Sequence, residues 1–136
     1  QASTFAGNPI SVTAAINSIK TINRIKNKLY AKLERNCELL VDEIDDLATD
    51  HKIPHQINSI ASMFQIFFSN KPVTNYNTSK NADGKKFNKL FSNLLKNGVF
   101  IAPSQFESVF LSDAHTDTDI TKTLGAYGLS LKAVKH

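Results

Sequence analysis

Between residues 26 and 49 the apolar side chains Leu29, Leu33, Cys37, Leu40, Val41, Ile44, Leu47 and Ala48 recur at spacings of three and four. That spacing places them on one face of an α-helix. A helix this long with a single apolar face must bury it against other elements, so the remaining chain has to supply a matching surface. Asp42, Glu43, Asp45 and Asp46 near its end oppose the helix dipole and read as solvated surface, not as a metal site. An earlier helix is expected over residues 9–23, with Asn8 as N-cap and Pro9 in the first turn, where its missing N–H costs nothing. Its apolar residues Ile10, Ala14, Ala15, Ile16, Ile19 and Ile22 cover a broad face. So wide a face on the first helix of a small domain implies contact with something besides its own core.

After Pro54, residues 55–68 read as extended chain, with a turn or bulge at Ala61 and Ser62 and burial on both faces towards Phe64, Ile66, Phe67 and Phe68. Residues 70–83 are polar loop. A helix over residues 85–97 carries Phe87, Leu90, Phe91, Leu94 and Leu95, and Gly98 stops it. Val99, Phe100 and Ile101 then predict a short buried strand, cut off by Pro103 and followed by an ordered loop. That loop carries Glu107 between Phe106 and Val109. A carboxylate in such company is either a paired structural charge, the commoner case, or a site residue.

Residues 109–111 predict a return strand. The acidic run at residues 113–119 fails as a calcium loop, because Thr118 stands where the sharp turn needs Gly and Leu124 where the bidentate Glu belongs. Thr116 is better read as the N-cap of a last helix over residues 117–134, with Ile120, Leu124, Tyr127, Leu131 and Val134 facing inward. The fold class is therefore α+β, a small antiparallel or mixed sheet with helices packed on one face.

With 136 residues and a 41% hydrophobic content the chain is one soluble domain's worth, and no apolar run reaches the roughly 20 residues needed to span a bilayer. No signal-type pattern opens it, so a cytoplasmic location is expected. The single cysteine, Cys37, sits on an apolar helix face and reads as core filler. The net charge of +4 owes much to Lys20, Arg24, Lys26, Lys28, Lys32 and Arg35. Such a run can grip nucleic acid or an acidic partner, but it lacks interleaved aromatics and any binding motif, so a solvated face is favoured.

Several segments, in order, resemble one enzyme family: residues 1–9 (QASTFAGNP), Ser62-Met63-Phe64 with Phe67-Phe68, Pro72-Val73-Thr74-Asn75-Tyr76, residues 102–107 (APSQFE), and Leu111-Ser112 with Ala114-His115-Thr116. Together they resemble the glutamate-1-semialdehyde 2,1-aminomutases, pyridoxal-phosphate enzymes among the class-III aminotransferases. The resemblance implies the last third of a fold-type I enzyme: residues 1–24 as phosphate-loop segment and connecting helix of the large domain, residues 25–136 as C-terminal small domain. It implies conversion of glutamate 1-semialdehyde to 5-aminolevulinate, with pyridoxal 5'-phosphate or pyridoxamine 5'-phosphate as cofactor, in a homodimer and without nucleic acid or membrane as partner. Ser3 and Thr4 match the position that holds the cofactor phosphate of the neighbouring subunit, and Glu107 matches a glutamate lining the active site. Two positions depart from the family, which usually has Gly at Ser3 and at Ala61. The Schiff-base lysine belongs to the upstream large domain, so these 136 residues alone are expected to bind no cofactor and to be inactive. The competing readings are a free-standing basic binding module and another class-III aminotransferase.

Overall fold

Helix α1 (Pro9–Asp50) is followed by β1 (Gln56–Ile60), β2 (Met63–Phe67), α2 (Tyr76–Ser79), α3 (Gly84–Lys96), β3 (Val109–Phe110) and α4 (Asp117–Val134). This is a computed structural model that describes residues 5–135. The three strands form one antiparallel sheet in the order β1-β2-β3.

The two helices expected over residues 9–23 and 26–49 are a single helix of 42 residues. Nothing in Asn23, Arg24, Ile25 and Lys26 removes a backbone donor or requires a left-handed turn, so the hydrogen-bond ladder runs straight through. It stops where Lys52 takes a φ of 57°. There the Ile53 N–H donates to Ala48 O at 3.0 Å and the Lys52 N–H to Thr49 O at 2.8 Å. This is the Schellman arrangement, built on lysine instead of glycine. Gly98, with φ 81°, ends α3 in the same way through Val99 N–H to Leu94 O at 2.9 Å.

Only the second half of α1 joins the domain. Cys37, Leu40, Ile44 and Ala48 are buried, whereas every residue from 9 to 28 is exposed, Ile10 at 81% and Ile19 at 59%. The inward face packs on the sheet and on α4, and shares one cluster with Phe64 and Ile66 of β2, Tyr127 and Leu131 of α4, and Leu90 and Leu94 of α3. Burial pushes the Tyr127 phenol well above its ordinary range, so it stays neutral. Burial, then Glu38, pushes the Cys37 thiol up too, which fits core filler and not a nucleophile.

Residues paired across strands share a face. Ile57, Ile66, Phe64 and Val109 therefore look toward the helices, while Asn58, Gln65, Met63, Phe67 and Phe110 look the other way. On that second face Phe67 makes a small cluster with Val73 and Ala82. The expected loop at residues 70–83 lies there and includes one helical turn, α2, whose Asn75 and Thr78 cap each other's backbone N–H groups.

The strand expected over residues 99–101 does not form. Ile101 is buried and Phe100 exposed, so the side chains alternate as a strand's would, but the segment joins neither open edge of the sheet, and Ile101 is buried by packing in the core instead. The other expectations stand: the turn at Ala61 and Ser62, the return strand, and Thr116 as N-cap of α4. Asp119 completes that cap, and its hydrogen bonds from Thr116 hold its carboxyl below the usual value.

Ala61 occupies the first position of the β1–β2 turn with φ 51°, where a Cβ costs about 1 kcal/mol or more. Ala61→Gly removes that cost and adds somewhat less in unfolded-chain entropy, so a gain of about 0.5 kcal/mol is expected. A urea titration reads it as a higher midpoint; a lower one would mean that the alanine methyl contributes packing which outweighs the strain.

Candidate functional site

The segment joining α3 to β3 carries the sequence-derived site residue. Pro103 interrupts the backbone donors, and Ser104 then folds the chain over: its Oγ accepts the Phe106 N–H at 3.2 Å and its carbonyl accepts the Glu107 N–H at 3.1 Å. The turn sends neighbouring side chains in opposite directions. Gln105 goes inward and is buried, whereas Phe106 and Glu107 point out. Phe106 stacks obliquely on Tyr76 of α2 with ring centroids 5.6 Å apart, and the Lys80 ammonium stands 5.5 Å from the Tyr76 ring centre. Glu107 is exposed, and its carboxylate has no ion pair or hydrogen bond among the described residues. The reading of Glu107 as a paired structural charge therefore has no partner to support it.

Open grooves lie on either side of this turn. One, of about 600 Å³, runs between Phe106, Gln105 and the first turn of α3 at Gly84 and Lys85. The other, of about 240 Å³, lies on the outer face of the sheet between Asn58, Met63, Gln65 and Ser108.

Ser3 and Thr4 lie outside the described residues. Next in the chain is a turn over residues 5–7, with Gly7 at φ 76°, leading into Asn8. The Asn8 Oδ1 accepts the Ile10 and Ser11 N–H groups at 3.0 and 3.3 Å, as the N-cap reading requires. No acidic residue stands in the first turn of α1, so the positive end of a long helix dipole is left unopposed there. Leu33 is the first α1 residue packed on the core. At 1.5 Å per residue the helix start lies roughly 36 Å along the axis from it. The structure thus places the two candidate regions, the helix start and the Glu107 turn, far apart.

The sequence profile of class-III aminotransferases matches residues 1–125. The chain belongs to the class-III aminotransferase family. Over 136 residues this aminotransferase chain is 72% identical to the glutamate-1-semialdehyde 2,1-aminomutase of Nitrosopumilus maritimus (strain SCM1), covering 100% of itself and 32% of that relative. It is 53% identical over 135 residues to glutamate-1-semialdehyde 2,1-aminomutase 1 of Cenarchaeum symbiosum (strain A), covering 99% and 32% of the two chains. The solved structure of an omega-transaminase from Sphaerobacter thermophilus shares the fold with a TM-score of 0.79 at 16% identity, over 100% of this chain and 30% of that one. The aminotransferase chain therefore spans about a third of the length of the relatives it matches. The match runs through the basic residues of α1, which favours the aminotransferase reading over a basic binding module.

Two residues at the site have little sequence signal. Gln65 is a lone polar residue inside the otherwise apolar strand MFQIF, and Gln105 sits inside the APSQFE segment. Only the folded chain shows that Gln65 reaches the Glu107 turn.

Proposed function

We propose that this chain is the C-terminal part of a glutamate-1-semialdehyde 2,1-aminomutase, which isomerises glutamate 1-semialdehyde to 5-aminolevulinate by moving an amino group between neighbouring carbons. The observation that carries this reading is the 72% identity, maintained over all 136 residues, to a relative of that name. Residues 1–24 belong to the large domain and residues 25–136 form the small one. The exposed isoleucine face of α1 is then covered by the large domain, which removes from water the apolar surface that this chain leaves open.

Pyridoxal phosphate, when bound, supplies the electron sink that the reaction needs. This chain's share in holding it is Ser3 and Thr4, whose backbone N–H groups and hydroxyls precede a helix start free of acidic side chains. By the family resemblance, the phosphate held there is that of the neighbouring subunit's cofactor, and the enzyme works as a homodimer; the distance of that start from the Glu107 turn agrees with their serving two different sites. Glu107, outward and unpaired, lines the active site on the small-domain side, where its carboxylate can accept or return a proton. The Schiff-base lysine lies on polypeptide outside these residues.

The test is an assay of the full-length protein. 5-Aminolevulinate should form from glutamate 1-semialdehyde without an added amino donor, and the 136-residue chain alone should form none. Turnover that requires a separate amino donor and acceptor would instead make the parent another class-III aminotransferase.

A further inference from the structure

The turn that presents Glu107 belongs to no strand and no helix, yet it is pinned from beneath by two glutamines. Gln65, at the middle of the central strand β2, donates from Nε2 to the Gln105 carbonyl oxygen at 2.8 Å. Gln105 in turn donates from its own Nε2 to the Ser79 carbonyl oxygen at 3.3 Å, at the end of α2. Three segments far apart in sequence are thereby joined through two side chains that are only 5% and 8% exposed. The bond from Gln65 anchors the turn to the middle strand of the sheet, which has neighbours on both edges.

The arrangement has a cost. The Oε1 atoms of both glutamines are buried with no hydrogen-bond partner among the described residues. A buried acceptor left in this way opposes folding, and an apolar side chain of similar size would pack at either position without that penalty. Locally unfavourable polar burial is found where a site needs it. Here the gain is geometric, because the Gln65 donor ends on the backbone of the turn itself and the Gln105 donor ties that turn to the end of α2.

We infer that Gln65 and Gln105 are positioning residues that hold the residue 103–107 turn in one place on the sheet, and through it the carboxylate of Glu107. This rests on the proposed aminomutase reading for its catalytic consequence, but its structural half stands apart from it. Gln65→Met keeps the stem and volume and removes the donor. Gln105→Met removes the second link, and serves where the first variant fails to fold.

In the full-length protein, either variant should raise amide hydrogen exchange at Phe106 and Glu107 by about tenfold or more, with the amides of α3 and α4 unchanged. Loss of registration at a catalytic group lowers turnover more than binding, so kcat should fall by about tenfold while KM for glutamate 1-semialdehyde stays within about twofold. Unchanged exchange at the turn would overturn the inference. So would faster exchange with kcat intact in an active enzyme, since the turn would then be held for no catalytic purpose. If the wild-type protein shows no aminomutase activity, the functional reading fails by itself and the exchange measurement still decides whether the glutamines hold the turn.

Discussion

Leu94→Ala should destabilise the folded chain by about 3 kcal/mol, within the range found when a fully buried leucine is cut to alanine in a core that cannot collapse around the gap. Leu94 has no exposed surface and lies on the face of α3 that meets α4, in the same cluster as Tyr127 and Leu131. Its backbone carbonyl also receives the Asn97 and Val99 N–H groups that close the helix, and the substitution leaves those bonds in place. The loss is therefore one of packing, not of capping. For a chain of this size it corresponds to a fall in melting temperature on the order of 10 °C. Leu95, one position on and half exposed, is the control: Leu95→Ala should cost well under about 1 kcal/mol. Similar costs at the two positions, read by thermal or urea unfolding, would show that α3 does not dock on α4 through Leu94.

The periodicity that marks Leu94 as inward also marks the inward residues of α1 and α4, and for one physical reason: a helical face repeats every three or four residues whatever covers it. The covering itself is not in the period. Ile16, Ile19 and Ile22 have the spacing of a buried face and stand in solvent here, because the first half of α1 extends past the core that its second half helps to build. Helix ends were legible where a residue has one conformational use, as with Asn8, Gly98 and Thr116. They were not legible at residues 23–26, where a break is expected and the ladder continues; the end expected at residue 49 falls within one residue of Asp50, although the left-handed turn that closes it is taken by a lysine, Lys52.

Strands depended on their neighbours. Residues 99–101 have strand-like side chains and form no ladder, because pairing also needs the chain to run alongside an edge, which side-chain type does not specify. Val109 and Phe110, with no stronger local pattern, pair because the β2 edge is available to them. The site divides in the same way. Glu107 could be singled out from its apolar flanks and its family-like segment, while Gln65 and Gln105 could not, since a hydrogen bond between residues 40 positions apart leaves no trace in local spacing.

For Glu107 the consequence is a large effect on activity with almost none on stability. Its side chain is exposed and unpaired, so Glu107→Gln should leave the unfolding midpoint of the chain within about 0.5 kcal/mol of wild type. The amide keeps the shape of the carboxylate and its capacity for hydrogen bonding, and loses only the charge and the ability to exchange a proton. If Glu107 lines the aminomutase site and moves a proton there, kcat of the full-length enzyme should fall by about a hundredfold, the lower end of what a positioned acid or base contributes. KM should change little, because the ground-state contacts of an isosteric amide are nearly the same. Glu107→Asp, which retains the proton but withdraws it by one methylene, should recover part of the loss if distance is what matters. A Gln variant with kcat within twofold of wild type would reduce Glu107 to a surface charge, and the turn held by Gln65 would then have to be explained by Phe106 and its contact with Tyr76 alone.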